Sequence, residues 1–414
     1  MSSQRFGDEA WMRRLEGHLQ SEHYVAQIRR RYSAVARRFL AYLGNRHVDI
    51  GRALPSHVQA YLRCELRRYR QRHKRSPRNV ARWRCSFTSG VHQLLRLAQG
   101  VWPPAPAPVD STERLHREIC THYGQWLAEV RGLAPVTIAD CCQRGEQFLR
   151  WLGERGTAAQ LPQLGVAQVD EYLRLRGLTL RRSTRKSLAL TLRSFLRYLY
   201  GAGLVARDLA PAVSAPTLYA FESIPSALRP EDVRAVLSAA RKDRTAKGRR
   251  DFAILTLLAA YGLRAGEITA LRLDDIDWRH GVMRIRHSKT GAQSLLPLLE
   301  PVGNALLDYL RHGRPSRAAR REVFLRSRAP YRPFHDGSSL HTLVARRLAA
   351  AEVRVAGKHG PHAFRHAHAV SLLRAQVPLK VIGDLLGHRA TDSTAVYLKL
   401  ATADLRAVAL EVPA

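Results

Sequence analysis

Apolar residues recur every three or four positions over most of the chain, the period of helices with one buried face. The clearest run is LTLRRSTRKSLALTLRSFLRYLY (178–200), where Leu188, Leu192, Phe195, Leu196 and Leu199 share a face. Residues 1–100 and 112–205 both read as helical, and they echo each other. FLAYLG (39–44) matches FLRWLG (148–153), HVQAYLR (57–63) matches QVDEYLR (168–174), and QLLRLA (93–98) resembles SFLRYL (194–199). The shared order and near-equal offsets predict a duplicated small helical bundle. Two Pro-punctuated stretches, 101–111 (VWPPAPAPVDS) and 206–226, interrupt the pattern and read as linkers, because such composition is extended and does not continue a helix.

The period changes in 227–414. A helix enters at Leu228-Arg229-Pro230-Glu231. DFAILTLLAAYG (251–262) is apolar nearly all round, which predicts burial, and Gly262 stops it. GLRAGEI follows, with Gly266-Glu267 launching a helix that carries Ile268 and Leu271. In VMRIRHSKTGAQSLLPL (282–298) two β-prone runs flank Ser-Lys-Thr-Gly, a hairpin signal with Lys289 at its tip. Beyond an Arg-rich loop (312–321), Gly360-Pro361 starts a helix. Pro378 opens a short one bearing Val381, Ile382, Leu385 and Leu386, with Gly387 as its left-handed cap. The expected fold is mainly α with a small β-hairpin or sheet. Its parts are 1–100, a basic helical region; 112–205, a second bundle; and 227–414.

Charge narrows the partner. The chain of 414 residues carries 68 Lys+Arg against 34 Asp+Glu, a net +34. That balance favours a polyanion, and Arg forks onto phosphates. The stretch 63–84 holds ten Lys/Arg against one Glu, interleaved with Tyr69, His73 and Trp83. Such interleaving points to DNA-backbone contact by Arg67, Arg68, Arg70, Arg72 and Arg75 rather than to a merely solvated face. Arg181, Arg182, Arg185 and Lys186 offer a second such cluster. A membrane surface is the rival partner, but no basic amphipathic anchor stands out and no apolar run reaches spanning length. The N-terminus lacks the apolar core of a secretory signal. Five cysteines without a CxxC pair fit reduced thiols in a cytosol.

Candidate chemistry concentrates in 359–399. His362 and Arg365 lie three apart on one helix face. His388 follows Gly387, and Tyr397 stands nine residues further on, in a segment Thr391 can cap. Two imidazoles, a guanidinium and a phenol suit a phosphodiester held by cations and attacked by an oxygen. Histidines at 359, 362, 366 and 368 invite a zinc reading. No HExxH glutamate accompanies them, and His366 and His368 read as packing groups.

In order, 227–414 offers Arg264, Lys289, His362, Arg365, His388 and Tyr397. GLRAGEI, a hairpin lysine, HAFRH, LGH and the tyrosine nine residues later resemble the tyrosine recombinase (phage integrase) family, with the motifs in the family's order. The resemblance implies a recombinase catalytic domain preceded by a SAM-like helical core-binding domain at 112–205, with 1–100 as an extra helical domain. It also implies roles. Tyr397 attacks the scissile phosphorus to form a 3′-phosphotyrosyl bond, so that neither ATP nor a metal is needed and no cofactor is expected. Arg264 and Arg365 clamp the non-bridging oxygens, Lys289 protonates the leaving 5′-oxygen, and His362 and His388 assist. Glu267 matches the acidic position after the first arginine and reads as a structural orienter. The implied function is site-specific DNA recombination or integration, as in integrases of mobile elements, by a homotetramer, alone or with related recombinases, on synapsed duplex DNA through a Holliday junction. The tail 402–412 is amphipathic and in this family often docks on a neighbouring subunit. The alternatives are a type IB topoisomerase acting on one duplex and a non-catalytic DNA-binding regulator. A binding module has no need of Tyr397 or Lys289.

Overall fold

The computed structural model describes residues 2–219, 227–287, 291–316, 318, 320–334, 337–355 and 359–387. It divides into two compact units, Met1–Pro104 with Ile224–Ala414, and Ala105–Ser223. Among the described residues, three large apolar cores lie within them, beside a small cluster of Ala369, Ile382 and Leu386.

The first core belongs to helices α1 (Ser2–Ser21), α2 (Ala26–Gly44), α3 (Pro55–His73) and α4 (Val80–Gln99). Pro55 opens α3 at its first turn, and Asn79 caps α4 by accepting from the Arg82 amide at 2.8 Å. Gly90 lets α4 approach α2, since a Cβ there would sit 3.1 Å from Tyr32 backbone atoms. Trp102, inside the expected linker, is buried against this core. In the same unit, Ala329 packs on the bundle, the His23 and Tyr331 rings stack at 6.3 Å, and Arg332 lies 3.8 Å from Glu22.

The second core belongs to α5 (Ser111–Glu129), α6 (Pro135–Leu152), α7 (Val166–Gly177) and α8 (Arg182–Gly201). Leu188, Leu192, Phe195, Leu196 and Leu199 are buried, as their spacing predicts. This core reaches into the stretch expected to be linker. Val205, Leu209, Ala210 and Val213 are buried in it, and Arg193 donates to the Val213 carbonyl at 2.6 Å. The backbone there bends and turns rather than running straight, so its apolar residues still face a core.

The sequence echo has a packing counterpart. Phe39 meets Tyr61 edge-on at 5.2 Å and Tyr42 meets Tyr61 at 5.5 Å; Phe148 meets Tyr172 edge-on at 4.9 Å and Trp151 meets Tyr172 at 5.2 Å. Equivalent aromatics thus sit on equivalent helices of both bundles, held by edge-to-face contacts.

The third core is built on α9 (Pro230–Lys242), α10 (Ala246–Tyr261), α11 (Ala265–Ala270), strands β1 (Ile276–Asp277), β2 (Val282–Arg286) and β3 (Gln293–Pro297), then α12 (Glu300–His312), α13 (Ser338–Ala350), α14 (Pro361–Arg374) and α15 (Leu379–Leu386). The strands form an antiparallel sheet in the order β1-β2-β3, with Met283 opposite Leu296 and Ile285 opposite Ser294. Helix α10 runs through the middle, against α9, α12 and α14. It begins before the apolar run because the Thr245 hydroxyl accepts from the Gly248 amide at 3.0 Å. Its last residue anchors the sheet: the Tyr261 hydroxyl donates to the Pro297 carbonyl at 2.7 Å and accepts from the Leu299 amide at 3.0 Å.

One carboxylate ties α10 to α13. Asp251 is fully buried, with Arg250 and Arg346 each at 2.8 Å and Arg347 bonding it through Nε at 3.0 Å and Nη2 at 2.8 Å. Removing that charge leaves the buried Arg250 without its carboxylate, although Arg347 keeps Asp243 at 2.8 Å, and breaking such a buried pair costs about 3–5 kcal/mol. Asp251→Asn therefore unfolds at a markedly lower urea concentration than the parent chain. An unchanged midpoint contradicts this account.

Candidate active site

Arg264 stands in the turn between α10 and α11. Gly262 ends α10 in the left-handed region, at φ 60°, and Arg264 is the N-cap residue of α11. The Glu267 carboxylate serves both backbone and side chain. Its Oε2 accepts from the Arg264 amide at 2.8 Å and its Oε1 from Arg264 Nη1 at 2.9 Å. Burial pushes its carboxyl pKa up, but hydrogen bonds from His287 and Arg264 outweigh that and hold it below the usual carboxylate range. Glu267 is thus a fixed anion at neutral pH.

Arg365, on the second turn of α14, is buried at 3% exposure. Its Nη1 donates to the Gly262 carbonyl at 2.9 Å and its Nη2 to the Leu386 carbonyl at 2.5 Å. Arg264 Nη2 donates to the Gly387 carbonyl at 3.0 Å. All three acceptors lie at the C-terminal ends of α10 and α15, where carbonyls lack intrahelical partners and the helix dipole is negative. Gly387 closes α15 at φ 63°, as expected for a left-handed cap. Two helix ends therefore draw two guanidinium groups to one place, beside the residue that precedes His388 in the chain.

His362 lies on the first turn of α14, three residues before Arg365, and is exposed, its ring 6.2 Å from that of His366. His368 belongs to the packing. A Cβ on Gly262 would sit 3.1 Å from its ring. Burial holds the His368 imidazole below its ordinary pKa and the Arg365 charge adds to this, against a hydrogen bond with the Ala259 backbone.

The expected hairpin is present as β2 and β3. The His287 amide donates to the Ala292 carbonyl and the Gly291 amide to the His287 carbonyl, each at 2.8 Å, with Gly291 at φ 72°. Lys289 at its tip lies outside the described residues. So do His388, Thr391, Tyr397 and the 402–412 tail.

The sequence reading missed His287. Its Nδ1 lies 2.8 Å from Glu267 Oε1, its Nε2 lies 2.8 Å from Ser294 Oγ, and it is buried at 3% exposure. A signal was there: His287 continues the row of Met283 and Ile285, which alternate inward along β2.

Of the candidate DNA contacts, Arg67, Arg68, Arg70, Arg72, Arg75, Arg181, Arg182 and Arg185 are exposed and Lys186 is half-buried. Tyr69, His73, Trp83 and Phe87 form a chain of ring contacts between α3 and α4, at 4.3 to 6.0 Å. Arg68 pairs with Glu65 at 2.9 Å, and Arg182 stacks over Tyr219 at 5.1 Å.

The chain is similar to a putative integrase/recombinase of Sinorhizobium fredii, y4gC, at 58% identity over 46% of this chain and 97% of that one. It is also similar to the tyrosine recombinase XerD of Mycobacterium tuberculosis, at 30% identity over 67% of this chain and 91% of that one. Among solved structures it resembles a lambda integrase tetramer bound to a Holliday junction, with a TM-score of 0.53 and 17% identity over 78% and 87% of the two chains. That likeness speaks to the fold alone. Residues 226–404 match the Phage integrase family and contain both clamped arginines, the hairpin, His362, His388 and Tyr397. The chain is a member of the phage integrase family of tyrosine recombinases.

Proposed function

We propose that this chain cuts and rejoins duplex DNA at specific sites through a 3′-phosphotyrosyl intermediate, and that Arg264, Lys289, His362, Arg365, His388 and Tyr397 form its site. The observation that carries the proposal is the convergence of Arg264 and Arg365 on the Leu386–Gly387 end of α15. Two cations fixed there suit the two non-bridging oxygens of a scissile phosphate, whose charge grows in the transition state. The phenol of Tyr397 attacks phosphorus as its proton leaves toward His362 or His388. The P–O bond to the 5′-oxygen breaks, and Lys289 supplies the proton that makes it a hydroxyl. Because the tyrosyl ester keeps the energy of the broken bond, the reverse attack by a 5′-hydroxyl reseals DNA without ATP or a metal.

The exposed arginines of α3 and of the start of α8 supply backbone contacts, so that both helical bundles grip duplex DNA. The matching aromatic sets support reading residues 1–100 as a second copy of the bundle at 112–205, with 227–414 as the catalytic domain. Exchange between two duplexes requires four copies and passes through a Holliday junction. The lambda integrase tetramer on such a junction is a precedent for that assembly. No described helix is long and apolar enough to cross a membrane, and the proposed place of action is the DNA of the cytoplasm.

A nicked suicide duplex built from DNA flanking the gene tests the proposal. Loss of the short fragment beyond the nick strands the covalent intermediate, so a protein–DNA adduct should accumulate in EDTA as readily as in magnesium. An adduct that forms only when a divalent metal is restored rejects the proposed chemistry.

A further inference from the structure

We infer that His287 is a positioning residue for the arginine clamp, setting the orientation of Arg264 through Glu267; the inference rests on Arg264 acting on the scissile phosphate. Three observations carry it. First, the geometry forms one chain of contacts: Ser294 Oγ to His287 Nε2 at 2.8 Å, His287 Nδ1 to Glu267 Oε1 at 2.8 Å, and that same oxygen to Arg264 Nη1 at 2.9 Å. An ionised carboxylate only accepts, so Nδ1 carries the hydrogen in this bond, while the Ser294 hydroxyl can donate to or accept from Nε2. Second, His287 and Glu267 are both buried at 3% exposure, where a lost donor is not replaced by water. Third, Gly387, whose carbonyl holds Arg264 Nη2, is packed against this ring. A Cβ at Gly387 would come within 2.8 Å of it. His287 therefore bears on both anchors of Arg264, the carboxylate directly and the carbonyl through packing.

The backbone of His287 closes the hairpin around 288–291, while its side chain reaches the arginine on another element. One residue thus joins the strand pair to the helix turn at 262–267. Without the imidazole, Glu267 Oε1 loses a charge-assisted bond and its carboxylate is held by Arg264 alone, so the Arg264 guanidinium can shift off the phosphate. Displacements on the scale of an ångström can lower a rate by about a hundredfold.

The test is single-turnover adduct formation on the nicked flanking-DNA duplex, with an ordinary phosphate or a methylphosphonate at the scissile position. His287→Ala should slow cleavage of the phosphate about ten- to a hundredfold, with DNA affinity within about twofold of the parent. His287→Asn keeps an N–H donor near the Nδ1 position and should recover most of the rate. Ser294→Ala, which removes only the far-side bond and barely disturbs packing, should give a smaller loss in the same direction. On the methylphosphonate, which lacks one of the charged oxygens, the His287→Ala deficit should shrink to a few-fold. A deficit equal on both substrates, or one that Asn does not relieve, assigns His287 a structural role and overturns the inference. Arg264→Ala separates the two claims. If it keeps full activity, the clamp reading fails; if it loses activity while His287→Ala does not, only the His287 inference fails.

Discussion

Tyr397→Phe binds duplex DNA as the parent chain does and captures none of it covalently. The substitution removes one oxygen, the proposed nucleophile, and leaves the ring. No neighbour restores it. A histidine would give an acid-labile phosphoramidate, and water would give a hydrolysed nick with no protein attached. Covalent catalysis splits a difficult displacement into two steps, and without the first the expected loss is complete at the sensitivity of a gel assay. The measurement is a denaturing gel of the nicked substrate beside a binding titration. A protein-linked band persisting in Tyr397→Phe would move the nucleophile elsewhere in the chain.

Arg365→Ala carries the second largest effect, and it falls on rate and stability together. Loss of a transition-state donor of this kind lowers the rate about a hundred- to a thousandfold. The same change strips donors from two carbonyls, Gly262 and Leu386, in a place where the side chain was 3% exposed. Each buried acceptor left without a partner costs about 1–3 kcal/mol. Arg365→Lys recovers little, because a single ammonium does not present the planar fork that spans both carbonyls. Arg264→Ala is the comparison: its side chain is 20% exposed, so rate should fall with a smaller drop in the unfolding temperature. Equal stability losses in the two variants would contradict this assignment of anchors.

The legible and the illegible parts of this protein differ in range. Helices with a single apolar stripe, such as α8, and caps such as Gly262, Gly387 and Pro361 depend on residues a few positions away, and they appear where the pattern puts them. The hairpin around Lys289 was legible for the same reason. Strand β1 spans two residues and carries no alternation to read. The stretch 206–226 reads as linker because prolines at 211, 216 and 225 punctuate it, while Leu209, Ala210 and Val213 reach a core built from helices far back in the chain. At the site, the motifs exposed the arginines and Glu267 but not the carbonyls that hold the guanidinium groups. Arg264 meets Gly387 and Arg365 meets Gly262 across separations of 123 and 103 residues. His287 was overlooked because a histidine on a strand ordinarily reads as a surface group; its place in an inward row was the clue.

The carbonyls that hold the two arginines have a thermodynamic consequence for substrate encounter. A buried cation awaiting an anion would ordinarily be disordered or would recruit a competing carboxylate, and binding would first have to undo that arrangement. Here the C-terminal ends of α10 and α15 supply partial negative charge to both guanidinium groups, and Glu267 adds a full charge at Arg264. The Nη2 donors of both arginines thus rest on carbonyls, and in the proposed reaction a phosphate whose charge grows competes with a dipole, rather than an ion, for them. On that reading these donors move little when DNA binds, and the difference between a dipole and an ion favours the transition state over the resting contacts.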